Sequence, residues 1–137
     1  MNGRINDKVE EIEAYLLELE TIKPKSYSAY AKDILTKAAC ERYFEKITES
    51  LTDLAFLLIK ENGLKMPEDD KEAFSILEKS NYIDASLCIK LREAKGMRNL
   101  IAHDYGSVDD KMVFEAITLE ITRDAKLFLK AAKKPRG

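Results

Sequence analysis

Ile5, Val9, Ile12, Leu16 and Leu19 recur at alternating spacings of four and three, with Asp7, Lys8, Glu10, Glu11, Glu13 and Glu18 between them. That period puts the apolar residues on one stripe and predicts an amphipathic helix. Lys23-Pro24 ends it, because the residue before a proline avoids the helical region. A second helix is predicted from about Ser26 to Lys60, where Tyr30, Ile34, Cys40, Phe44, Ile47, Leu51, Leu54 and Leu58 fall mostly three or four apart. Asn62-Gly63 is its stop, since glycine accepts the left-handed conformation that closes a helix. At ~1.5 Å per residue this helix would reach about 50 Å, so it is either kinked or long enough to touch something outside a small bundle.

Pro67 and the three acids after it suit a helix start. Phe74 and Leu77 are the inward residues of that third element, and Ser80-Asn81 is a short break. A fourth helix begins near Asp84 and carries Leu87, Leu91, Ala94 and Ile101, with Gly106 as its terminator. Ser107 or Asp109 can cap a fifth, whose buried side is Val113, Ile117, Ile121, Leu127 and Phe128. The chain carries no internal repeat and no convincing strand. The pattern predicts an all-α antiparallel bundle of four main helices plus one short helix.

Composition narrows this further. At 137 residues the chain has room for one ordinary core. We assign residues 1–132 to a single helical domain and 133–137, "KKPRG", to a basic flexible tail. The 23 basic and 25 acidic side chains give a formal net charge of −2, which excludes a general nucleic-acid coat but leaves room for a local basic patch. Cys40 and Cys88 lie far apart without a CxxC pair, and the opening "MNGRINDKVE" has no apolar signal region. Two reduced packing residues in a cytoplasmic protein are the expectation. No run approaches the ~18 apolar residues of a membrane span, so no membrane partner is expected.

Candidate chemistry concentrates in "KGMRNLIAHDYGS", which holds the only histidine, His103. On a regular helix Arg98 and His103 differ by about 140° around the axis and about 7.5 Å along it, so they do not project as neighbours. A joint site needs the arginine to swing across, the helix to loosen at its end, or a second chain to supply the other half. Asn99 and His103, four apart, share a face. A histidine can give or take a proton near neutrality, and an arginine can hold a phosphate through a fixed fork of donors. Together they suffice for metal-independent phosphodiester cleavage, in which a base removes a proton from the RNA 2′-hydroxyl and the guanidinium offsets charge building on phosphate. Lys90, Arg92 and Lys95 add a positive stretch that could receive an RNA backbone. Residue types and spacing alone also fit a helix-capping arrangement. One histidine and two distant cysteines make no usual zinc site, so neither metal nor cofactor is expected. A Walker loop and a G-x-S-x-G elbow are both missing.

The segment "RNLIAHDY" resembles the Arg-x4-His-x-Tyr motif of the HEPN superfamily, and specifically its HepT-like toxin branch. "ERYFEKITESLTDLA", "FSILEKSNYID" and "YGSVDDKMVFEAI" are similar in the same order, so the resemblance covers roughly residues 5 to 130. It implies a HEPN-type helical bundle that forms a homodimer with both motifs facing a shared cleft. It implies further a ribonuclease toxin with Arg98 and His103 as the catalytic pair and Asn99 as the accessory polar residue. Transfer RNA is a common target in that family. The partner it implies is a minimal nucleotidyltransferase antitoxin that silences the toxin by transferring AMP to the motif tyrosine, here Tyr105. Such a modification would put negative charge beside the cleft, in competition with RNA. The alternative within the superfamily is a non-catalytic HEPN module that binds or assists a nucleotidyltransferase. Met97 stands where many relatives have a larger aromatic.

Overall fold

The computed structural model describes residues 3–103 and 109–134. The chain runs through α1 (Gly3–Ile22), α2 (Tyr27–Lys32), α3 (Ile34–Glu61), α4 (Asp70–Lys79) and α5 (Ala85–Ala102). A last rod then joins α6 (Asp110–Glu115), a π-helical turn (Ala116–Glu120) and α7 (Ile121–Lys133) without a break. The α1, α3, α5 and C-terminal rods make the bundle, with α4 as the shorter fifth piece and α2 a brief addition.

The stripe predicted for α1 is buried in full: Ile5, Val9, Ile12, Leu16 and Leu19 all enter the core. Pairings across the bundle show how α1 lies. Lys8 reaches Asp53 of α3 at 3.4 Å, while the rings of Tyr15 and Tyr43 meet edge to face at 6.3 Å, so α1 and α3 are antiparallel. Lys23 donates to the Thr122 hydroxyl at 3.2 Å and Lys133 pairs with Glu13 at 2.8 Å, which sets α7 antiparallel to α1 as well. Lys133, assigned above to the tail, is thus the last residue of a packed helix.

The long helix expected over 26–60 is two helices. Asp33 adopts an extended backbone (φ −107°, ψ 100°), and its carboxylate accepts from the N–H groups of Leu35 and Thr36 and from the Thr36 hydroxyl. An aspartate that satisfies the free donors of a new helix start is a stronger local preference than helix continuation. With the break there, Ile34 falls outside the core and is 78% exposed. At the far end of α3 the predicted stop is present: Gly63 has φ 65°, and the Leu64 N–H bonds to the Ile59 carbonyl at 3.0 Å.

In the C-terminal rod the buried side is Val113, Ile117, Ile121, Ala125 and Phe128. Leu127, predicted to be buried, is 46% exposed because Ala125 takes the inward position of that turn. Three successive spacings of four would drift about 40° each on a 3.6-residue helix. The π turn lies within that run and takes up the excess, since it accommodates more residues per turn than the α-helix. Lys37 of α3 pairs with Asp110 at 3.0 Å and anchors the start of the rod.

Candidate functional site

The Asp84 side chain caps α5, accepting from the Leu87 N–H at 2.7 Å, and the helix stays regular to Ala102. Arg98 and His103 therefore keep the angular separation of a straight helix. Arg98 falls on the inward row that runs Leu87, Leu91, Ala94, Arg98, Ile101, at spacings of four and three. Its guanidinium turns toward α3, where Nη2 donates to Glu49 Oε1 at 2.5 Å. Nη1 lies 3.4 Å from Asn99 Oδ1, and Nε is buried with no hydrogen-bond partner among the described residues.

His103 is the exposed C-cap residue of α5, and its backbone N–H bonds to the Asn99 carbonyl at 3.1 Å. Asn99 thus supports both members of the pair, the histidine through its main chain and the arginine through its side chain. The Asn99 side-chain oxygen lies toward Arg98. Tyr105 and the expected terminator Gly106 lie outside the described residues. Asp109 caps the helix that follows, accepting from the Lys111 N–H at 2.9 Å.

The three cations expected to receive an RNA backbone do not share a face. Lys95 is held by Asp70 of α4 at 2.9 Å, its side chain only 12% exposed. Arg92 is exposed on the outer side of α5. Lys90 lines a groove of about 790 Å³ between α5 and the C-terminal rod, together with Met97, Leu100, Met112, Glu115 and Arg123. Leu100 and Met112 are each more than half exposed there. Tyr30 and Phe44 are core residues, while Tyr27 packs edge to face on Phe114 at 5.7 Å, so these aromatics serve packing. Both cysteines are buried thiols, and burial pushes each of them above the ordinary thiol range. Among the described residues, no group of three or more His, Cys, Asp and Glu side chains could hold a metal ion, and no helix is long and apolar enough to cross a membrane.

Glu49 is the residue that pattern reading missed. Its signal is in the sequence nonetheless: a cation on an inward row needs an anion on the facing helix, because an unpaired buried charge is strongly disfavoured. α3 offers Glu41, Glu45 and Glu49 at spacings of four, and the crossing of α3 and α5 selects the third.

An all-helical bundle with Arg98 and His103 on the last turns of one helix has the layout that the resemblance to HEPN proteins implies. The family model described as Ribonuclease HepT-like matches residues 5–132, and the chain belongs to that family. It is 21% identical over 117 residues to the mRNA nuclease HepT of Shewanella oneidensis, an alignment covering 85% of this chain and 87% of that one. To the tRNA nuclease HepT of Aphanizomenon flos-aquae it is 25% identical over 117 residues, covering 85% and 80% of the two chains. Its fold matches a solved tri-AMPylated Shewanella oneidensis HEPN toxin in complex with MNT antitoxin, with a TM-score of 0.89 at 21% identity, over 97% of this chain and 98% of that one.

Proposed function

We propose that this protein is a cytoplasmic ribonuclease toxin that cuts RNA without a metal ion, works as a homodimer, and is silenced by a nucleotidyltransferase antitoxin. The observation that carries the reading is the placement of Arg98 and His103 on the last turns of α5, within the segment that matches the ribonuclease family. His103, exposed at the helix end, serves as general acid and base. It takes the proton from a 2′-hydroxyl as that oxygen attacks the adjacent phosphorus. The bond from phosphorus to the 5′-oxygen breaks, and the leaving oxygen receives a proton. Arg98 offsets the charge that builds on the phosphoryl oxygens. Asn99, bonded to both, keeps the pair in register.

Two relatives are named for different RNAs, one messenger and one transfer, so RNA is the substrate class that both support. For the partner, the solved AMPylated toxin bound to its MNT antitoxin supports silencing by AMP transfer, with Tyr105 as the acceptor in this chain. Because Arg98 faces α3 while His103 sits at the exposed helix end, a second protomer is the simplest supplier of a complete cleft. The exposed Leu100 and Met112, side by side on the groove next to the motif, are the surface we assign to that second copy.

Expression without a partner separates this reading from a non-catalytic HEPN module. Induction of the wild type should arrest bacterial growth, and induction of His103→Ala to the same level should not. Equal tolerance of both proteins would contradict the toxin reading.

A further inference from the structure

Arg98 occupies a place where the rest of its row carries Leu87, Leu91, Ala94 and Ile101. A guanidinium there lies in the seam between α5 and α3, and its side chain is 21% exposed. Such a cation is disfavoured there without a hydrogen-bond acceptor beside it. Glu49 supplies one, and grips a single corner of the fork: one bond, from Nη2 to Oε1, at 2.5 Å. A carboxylate can also engage arginine through two parallel bonds, which would use up one whole edge of the guanidinium. Among the described residues the one-point grip leaves the other Nη donors for a second anion, with Asn99 Oδ1 at 3.4 Å from Nη1.

The long arginine side chain has many rotamers, and a phosphate that met it unrestrained would have to order it during the reaction. Among the described residues no other contact of Arg98 could replace Glu49, since its Nε lacks a partner there and the Asn99 contact is long. Glu49 is itself 42% exposed on its side chain, so it stands at the edge of the seam where an incoming phosphate would arrive.

We propose that Glu49 is a positioning residue: it fixes the Arg98 guanidinium against α3 so that an RNA phosphate meets a fork already oriented. This rests on the reading of Arg98 as the phosphate-holding residue. It differs from a latch, in which the carboxylate would compete with RNA for the arginine. A positioning role requires the hydrogen-bond acceptor and not the charge. A latch requires the charge.

The test compares wild type, Glu49→Gln and Glu49→Ala in steady-state cleavage of an RNA oligonucleotide. Alongside it, NMR on arginine-labelled protein follows water exchange of the Arg98 Nη protons, one of which Glu49 holds. Glu49→Gln should keep kcat within about 5-fold, because the amide oxygen accepts the same bond. Glu49→Ala should lose about 10- to 100-fold in kcat with KM changed by less than about 3-fold, the size expected of a misplaced catalytic group. Exchange of the Nη protons should be slow in wild type and Glu49→Gln and faster in Glu49→Ala. Wild-type kcat in Glu49→Ala, or a lower KM there with kcat unchanged, would overturn the proposal, the second by showing a competing carboxylate. Unchanged proton exchange in Glu49→Ala would overturn it too. Cleavage absent from wild type, with exchange still dependent on Glu49, would count against the ribonuclease reading and support the anchoring of Arg98 by Glu49.

Discussion

Arg98, His103, Asn99 and Glu49 show how unequally single residues reveal themselves. His103 was legible because it is the only histidine, and Arg98 because it stands five positions before it. Their separation on the helix was legible too, from the period alone. What the motif does not disclose is that Arg98 belongs to the inward row of α5, where it meets Glu49. That contact depends on which turn of α3 crosses α5, a property of the packed bundle and not of either helix. Lys95 shows the opposite case: a cation that looks available in sequence is taken by Asp70 of α4. At Arg98 the fork should matter beyond its charge. Arg98→Lys keeps a cation but offers a compact ammonium that cannot bond Glu49 and a phosphate oxygen through separate nitrogens. Cleavage by Arg98→Lys should fall at least 10-fold in kcat/KM, close to the level of Arg98→Ala, as measured on one RNA oligonucleotide.

Among the elements, α1 was fully readable because a strict alternation of fours and threes has only one helical solution. The break at Asp33 was not, since the apolar row continues on both sides and only the capping preference of a single aspartate interrupts it. The π turn left a trace in the three successive spacings of four from Val113 to Ala125, all on the buried side. α5 offers a direct stability test. Gly96 lies in its interior, and a Cβ added there would meet only the Lys71 side chain, at 3.5 Å and 4.0 Å, which is ordinary contact. Alanine loses less backbone freedom than glycine on entering a helix, by about 0.5–1 kcal/mol. Gly96→Ala should therefore raise Tm by about 2–4 °C in thermal unfolding followed by circular dichroism. A lower Tm would mean that α5 and α4 approach more closely at this point.

For the molecule as a whole, the fold class and the helix order were legible from periodicity, and the comparisons with known ribonucleases fit both. An assembly was not: no interface pattern stands out in the sequence, and the exposed apolar side chains beside the motif are two among several on the chain. Leu100 and Met112 border one groove with Met97, next to the turn that carries Arg98. A homodimer through this surface predicts a mass near twice the 15.6 kDa of the chain by light scattering after gel filtration. Leu100→Glu places a charge in that contact and should shift the mass to that of the monomer with loss of cleavage. A monomeric wild type that cleaves RNA would remove the dimer from the account.

Residue, helix and bundle meet in one activity: Arg98 and His103 together are expected to cut RNA without a metal. The most direct measurement is cleavage of total RNA by purified protein in the presence of EDTA, comparing wild type, Arg98→Ala and His103→Ala at matched folding. Cleavage by the wild type, and loss of at least 100-fold in each variant, is the predicted result. Undiminished cleavage by folded His103→Ala, or none by an unmodified wild-type protein across the whole RNA pool, would contradict it.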